Sequence, residues 1–470
     1  MKPKPPSQAK SRRHFLRTAL ATGALMPFDI RPLFAQGSGA APSGKVNLAC
    51  VGIGNRGANI IHEFAKTGLA NIVALCDVDM GAKQTLTILQ KYPDVPRFQD
   101  FRQMFDKMAK DIDAVCIGTP DFSHFPIAML AMSLGKHVYV EKPMAHSFKQ
   151  VDLMMAAEKK YKVACQMGNQ GHSDKNFHQF KAWTEAGIIK DVTKITAFMN
   201  NPRRWHGKSF IDFLPAQPVP ETMDWDVWTA TAREHPFNKG YHNGDWRSWF
   251  DYGNGALGDW GAHIIDTAHR FLKLGLPSEV VPTLEGHSRF IFPQASTLVF
   301  KFPAREGMPA LELTWYDGTE NLPPLPSNFG GAVVDPNIPP PSTGAIDTKR
   351  NPPGKVIYGG ELTFKGGSHG STLQILEKGA IDLNLPEVPK SPSNHFTNFL
   401  LACKGEEKCQ SSFDVAGPLC QAMALGIIAQ QVNSKVIFDP ATRRITNHKF
   451  ADELLDGPPP RKEWEQFYTL

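Results

Sequence analysis

The chain lacks the features that would place it in several large classes at once. After the first 35 of its 470 residues, nothing approaches 18 continuous apolar residues, which argues against a membrane-spanning helix. Cysteine is scarce. The seven residues Cys50, Cys76, Cys116, Cys165, Cys403, Cys409 and Cys420 are too scattered for a disulfide scaffold. Four of them sit in apolar, strand-like runs, where a free thiol acts as a small hydrophobe; Cys403 and Cys409 are close enough in sequence to pair. The sixteen histidines show no H-x-x-x-H or Cys/His ligand spacing, so no metal site is expected. There is no internal repeat, and no Lys/Arg cluster interleaved with aromatics to suggest nucleic acid. Hydrophobic residues at 41% and charged residues at 21% rule out a largely disordered chain.

Excess charge is also missing, once its position is considered. The formal +5 rests on a basic leader holding Lys2, Lys4, Lys10, Arg12, Arg13, Arg17 and Arg31 against one acid, Asp29. From Gln36 onward, 44 basic residues face 45 acidic ones. Within residues 1–35, Ser11-Arg12-Arg13-His14-Phe15-Leu16-Arg17 is a twin-arginine motif. The 11 uncharged residues Thr18 to Phe28 follow, too few to cross a bilayer but suited to a signal core, and Leu33-Phe34-Ala35 offers a cleavage site. The leader reads as an address for export in the folded state to the periplasm or beyond, through the twin-arginine machinery. A basic tail with a chance Arg-Arg is the other reading.

After a linker over 36–44, strand and helix signals alternate to about residue 168. Lys45–Ile53, Asn71–Cys76, Asp113–Gly118, His137–Glu141 and Val163–Met167 read as strands. Gly57–Gly68, Met80–Tyr92, His124–Gly135 and Phe148–Lys162 read as helices. That alternation predicts a doubly wound parallel sheet, a Rossmann domain over 45–168. Residues 169–470 change character: strands without crossover helices at Val192–Asn200, Thr297–Phe302, Ala310–Tyr316, Glu361–Lys365 and Thr372–Leu376 predict an α+β domain with an open, mainly antiparallel sheet. Helices are predicted at Asn176–Ala186, Gly261–Leu274, Asn394–Lys404 and Val415–Asn433. Nine prolines within 321–354 mark an irregular insertion.

Gly52-Ile53-Gly54-Asn55-Arg56-Gly57 is G-x-G-x-x-G between a strand and a helix, with Asp77 at the end of the next strand. In that context the pattern is a dinucleotide fingerprint. Gly52 makes the tight turn, Gly54 lets backbone approach a pyrophosphate, and Gly57 lets helix pack on strand, so Asn55 and Arg56 open the helix beside the phosphates. Asp77 would take the adenosine ribose hydroxyls and repel a 2′-phosphate, favouring NAD over NADP.

Two further segments are Gly118-Thr119-Pro120-Asp121-Phe122-Ser123-His124 and Gly135-Lys136-His137-Val138-Tyr139-Val140-Glu141-Lys142-Pro143. With the glycine fingerprint they resemble the family of glucose–fructose oxidoreductase and inositol dehydrogenase (Gfo/Idh/MocA). The resemblance covers most of the chain after residue 44. It implies that Thr119, Pro120 and His124 line the cofactor, with Glu141 and Lys142 at the nicotinamide ribose, and that the chain forms a dimer or tetramer through the open sheet face.

An ammonium such as that of Lys142 beside a substrate oxygen can polarise or protonate it. Asp259 and His263 stand four apart in Gly258-Asp259-Trp260-Gly261-Ala262-His263, able to share one helix face. From the residues alone, they are equally an N-cap and a satisfied core histidine. The resemblance implies His263 as general base and Asp259 as substrate positioner or histidine orienter. Six of nine tryptophans fall between 205 and 260, around Arg203, Arg204 and Arg247. Indole faces suit the C–H faces of sugars, and arginines suit hydroxyls, so Arg203, Trp246 and Arg247 are candidate substrate contacts. Asn169 and His172, after the last parallel strand, are weaker candidates for cofactor and substrate. The expected function is oxidation of a sugar or glycoside secondary alcohol with tightly held NAD. The alternative is a glycosidase that oxidises C3, eliminates the aglycone and re-reduces. Exported relatives of that type resemble a Tyr-x-x-His where this chain has Trp260-Gly261-Ala262-His263.

Overall fold

The computed structural model describes residues 44–201, 212–242, 244–329, 352–377 and 383–470. The basic leader, Arg203, Arg204, Trp205 and most of the proline-rich insertion lie outside the described residues.

The first domain is a six-stranded parallel sheet. In chain order it runs β1 (Val46–Val51), α1 (Asn55–Lys66), β2 (Ala70–Cys76), α2 (Lys83–Lys91), β3 (Arg97–Phe98), α3 (Phe101–Met108), β4 (Ala114–Ile117), α4 (His124–Ser133), β5 (His137–Val140), α5 (Phe148–Tyr161) and β6 (Cys165–Met167). Strands such as β4 are buried along their whole length, as a sheet covered on both faces requires. The strand order β3-β2-β1-β4-β5-β6 reverses direction between β1 and β4. At that switch the loops after the two strands part and leave a crevice. The pair β3–α3 escapes sequence reading because a two-residue strand carries no periodicity.

The second domain contributes α6 (Lys175–Glu185), β7 (Lys194–Met199), α7 (Trp225–Thr229), α8 (Gly255–Ile264), α9 (Asp266–Phe271), β8 (Glu279–Glu285), β9 (Ala295–Phe302), β10 (Leu311–Asp317), β11 (Gly354–Tyr358), β12 (Thr363–Gly367), β13 (Gln374–Ile375), α10 (His395–Cys403), α11 (Phe413–Val432), β14 (Val436–Asp439) and β15 (Arg444–Ile445). Among the described residues its sheet has nine strands in the order β13-β12-β11-β7-β10-β9-β8-β14-β15. All pairs are antiparallel except β7–β10. After β7 the chain builds the site-bearing segment, re-enters the sheet at β8, and the antiparallel run β8–β9–β10 brings β10 beside β7 in the same direction. Strand β8 contains Pro282 and β11 closes the proline-rich insertion, which hides both from pattern reading.

The expected helix over Gly261–Leu274 starts earlier, at Gly255, and divides at Ile265. Asp259 therefore sits inside α8 and is no N-cap; Asn254 holds that position. Segments after residue 390 return to the first domain. Phe396 and Phe399 of α10 meet the Phe64 ring at 5.1 and 5.8 Å between centroids. Trp464 meets Phe101 at 6.0 Å and Tyr468 meets Phe125 at 4.7 Å. Helix α11 is long and apolar enough to cross a membrane by length and composition, but 78% of its most apolar window is buried inside the protein.

Candidate active site

The loop after β1 is set by close approach. Gly52 adopts φ of 74°, and a Cβ there would stand 2.7 Å from Thr119. A Cβ on Gly57 would stand 1.7 Å from the Gly52 carbonyl oxygen, so α1 and the loop can meet only at glycine. Helix α1 has no acidic residue in its first turn and no capping side chain at Gly54, which leaves its first N–H groups for an anion. The Asp77 carboxylate accepts from Ile53 N at 2.9 Å and from Asp79 N at 3.1 Å, and its burial pushes its pKa up. It thus fastens the glycine loop from behind as well as facing the crevice.

That crevice has a volume of about 580 Å³, and both domains line it. Gly52, Gly54, Asn55, Arg56, Asp77, Thr119, Pro120, Glu141 and Lys142 form one wall. Trp246, Arg247, Asp259, Trp260 and His263 form the opposite one. Among the described residues, the buried Oγ1 of Thr119 and Oε2 of Glu141 have no hydrogen-bond partner. A glycine cradle that no Cβ could enter, an acid at the β2 terminus and orphaned buried oxygens together fit a dinucleotide.

Where the walls meet, charges pair. Lys142 Nζ donates to Asp259 Oδ1 at 2.6 Å and to the Asp259 carbonyl at 2.8 Å, joining residues 117 positions apart. Arg56 donates to Glu141 Oε1 at 2.9 Å, and Gln170 donates to the same oxygen at 3.1 Å. The Arg247 guanidinium lies 4.1 Å from the Trp246 ring centroid, with its Nε 3.7 Å from Asp259 Oδ1. Asp121, only 4% exposed, also lines the crevice, and burial against apolar surroundings raises its pKa to about 7 although Arg247 and Lys142 pull it down.

His263 is no satisfied core histidine. Its Nδ1 is buried without a hydrogen-bond partner among the described residues, and burial, then the Lys142 charge, hold its pKa well below the usual imidazole value. His369, on the loop after β12, stacks on it with centroids 3.9 Å apart and planes at 17°.

Four candidates from the sequence sit elsewhere. His124 is fully buried behind the crevice wall: its Nδ1 lies 2.8 Å from the Pro143 carbonyl and its Nε2 2.9 Å from that of Thr119. It staples the two loops that do line the cleft. Asn169 is 1% exposed and accepts from Ser411 Oγ at 2.6 Å. His172 is 1% exposed and bonded to Asp266 Oδ2 at 2.8 Å, turned into the second domain and away from the cleft. Gly57 packs behind the loop. Of the six clustered tryptophans, Trp228, Trp246 and Trp260 line the cleft. Asp121, Gln170, Trp228 and His369 were not singled out from the sequence as site residues. The position of Asp121 inside the Thr119–His124 motif was the available signal, and for His369 it was the flanking run Gly366-Gly367-Ser368.

Comparison with known proteins places both domains. Residues 46–169 match an oxidoreductase family described as an NAD-binding Rossmann fold, and residues 182–281 match the C-terminal alpha/beta domain of that oxidoreductase family. Over 169 residues the chain is 30% identical to glycosyl hydrolase family 109 protein 2 of a Shewanella species, covering 31% of this chain and 37% of that one. Over 180 residues it is 27% identical to inositol 2-dehydrogenase of Salmonella typhimurium, covering 38% and 51%. The chain thus spans about a third to a half of the length of these curated relatives. Its fold is that of the WlbA dehydrogenase of Chromobacterium violaceum, solved with NADH and UDP-GlcNAcA, with a TM-score of 0.55 at 14% identity over 85% of this chain and 98% of that one.

Proposed function

For a chain that belongs to the Gfo/Idh/MocA oxidoreductase family and is built to bind NAD, we propose oxidation of a secondary alcohol on a sugar or glycoside, with the cofactor kept in place between turnovers. The observation that carries this reading is the Lys142–Asp259 contact, 2.6 Å long, formed where the glycine-loop wall meets the tryptophan-bearing wall.

NAD bound on the glycine loop supplies the hydride-accepting ring. The chain's own groups do the rest. Asp259 holds the Lys142 ammonium in place with two of its three protons, which leaves one for a substrate oxygen. His263, kept neutral by burial, takes the hydroxyl proton as negative charge builds on that oxygen. Arg247, stacked on Trp246, donates to a neighbouring hydroxyl while indole faces take the apolar side of the ring.

The twin-arginine leader supports export in the folded state. Outside the cytoplasm no pool of free NAD is at hand, so a second sugar or keto-sugar reoxidises the cofactor in the same site, in a ping-pong cycle. Self-association through the open sheet face completes the reading. Protein purified without added nucleotide should release NAD on denaturation and turn over sugar pairs unaided. Protein that arrives empty and needs millimolar NAD would reject cofactor retention.

A second reading, the NAD-dependent glycosidase, is supported by the name of the Shewanella relative. Against it stand Trp260 in place of a tyrosine and the Asp259 partner of Lys142. Release of nitrophenol from nitrophenyl glycosides, dependent on bound NAD, would favour the glycosidase; its absence beside sugar oxidation favours the dehydrogenase.

A further inference from the structure

The loop that carries His369 is pressed against the site wall by several independent contacts. His369 N donates to the His263 carbonyl at 2.9 Å. A Cβ on Gly171 would stand 2.6 Å from the His369 carbonyl oxygen, and one on Gly370 would stand 2.5 Å from Asp174 Oδ2, so glycine on each side admits the loop. His369 itself adopts φ of 55°, a left-handed conformation that is strained for a β-carbon-bearing residue and survives where neighbours enforce it. Its Nδ1 lies 3.0 Å from Ser368 Oγ, and its ring meets Trp260 edge-on at 5.6 Å. A structural turn does not require an imidazole placed face to face with the histidine that faces the cleft.

We propose that His369 is a positioning residue of this site, a second imidazole that fixes the ring plane of His263 and restricts the stacked pair to a single proton. The argument is electrostatic. Two parallel imidazoles at 3.9 Å cannot both be cations without strong repulsion. The charged groups around them leave little to offset it: Lys142 and Arg56 are cationic, Asp259 and Glu141 anionic, and the two anions are already bonded to those two cations. When His263 takes the proton of a substrate, a neutral ring lies against its face as a polarisable partner. When His369 holds the proton, His263 is closed to a second one, so His263 acts as base only while both rings are neutral. The exposed His369 edge at the cleft mouth then passes that proton to water.

This inference rests on His263 being the base of the proposed function, but it is tested without turnover. Histidine-selective ¹⁵N NMR titration follows each imidazole in the full chain as purified, with His263 assigned from its loss in His263→Asn. In the wild type, one proton should enter the pair across the accessible pH range. In His369→Phe, which keeps an aromatic face but cannot be charged, the His263 pKa should rise by about one unit, and His369→Gln should move it the same way. His369→Lys, with a fixed charge, should move it down. A His263 titration unchanged in the Phe and Gln variants, or two rings protonating independently in the wild type, would overturn the proposal. A loss of Tm with no change in titration would show a packing role alone. Where a substrate is in hand, the acidic limb of kcat/KM should shift with the NMR value. Its absence beside the NMR shift would count against the base assignment and leave the stacked pair standing.

Discussion

The two walls of the crevice are built by different means. The first-domain wall is backbone: Gly52, Gly54, Thr119 and the start of α1 lie within or beside one β–turn–α unit, and their geometry follows from which atoms cannot fit. The second-domain wall is side chains: Trp246, Arg247, Asp259, His263 and His369 reach the same space from three segments, each held by contacts made over more than a hundred residues. The first wall is therefore sensitive to the addition of single atoms and indifferent to distant packing. The second tolerates changes of shape but depends on charge placed opposite charge.

Substitutions should separate the two. Gly57→Ala is expected to have the largest effect, because its Cβ would fall 1.7 Å from the Gly52 carbonyl oxygen. Nucleotide content on denaturation should drop below detection, with Tm lowered as well. If Gly57→Ala retained nucleotide, the first wall would not be a steric cradle. Lys142→Ala should lose much less nucleotide than Gly57→Ala, because the glycine cradle stays intact, while reducing kcat by roughly 10²–10⁴-fold, the range for removal of a proton-transferring group.

Asp121→Asn should show a smaller effect with a defined sign. The folded pKa of about 7 stands above the ordinary aspartate value of 3.8. The neutral carboxyl therefore stabilises the fold fully below the unfolded value, and that contribution is lost as pH rises through 7. Urea unfolding should find the wild type losing on the order of 2–3 kcal/mol between pH 5 and 8, and the Asn variant losing little of it. Trp246→Ala should raise KM several-fold with kcat nearly intact, since it removes a surface on which Arg247 rests and not a reacting group. His172→Gln should be smallest of all on KM, within about twofold, because its ring bonds to Asp266 away from the cleft.

The same contrast explains what was legible in the sequence. The glycine fingerprint, Asp77 and the alternation of strands and helices are local patterns, and the six-stranded sheet follows them closely. The Lys142–Asp259 pair spans 117 positions, and the residues alone left Asp259 open to reading as an N-cap. Only the earlier start of α8 at Gly255 removes that option. His124 lies within the motif that lines the cleft, yet its two carbonyl partners draw it one layer back. His172 is drawn away by an acid 94 residues further on. His369 carries no periodicity and reaches the site through a loop closed by glycines, so nothing in its own neighbourhood announces its partner.

The return of α10 and the residues around Trp464 to the first sheet means that the two domains cannot be dissected at the boundary their topology suggests. A fragment cut near residue 168 would leave Phe64, Phe101, Phe125 and Tyr139 facing water on surfaces now covered by Phe396, Phe399, Trp464 and Tyr468. Such a piece should be sticky and poorly soluble, and grafting this NAD-binding half onto another catalytic half would need the later segments carried along as a second, discontinuous insert.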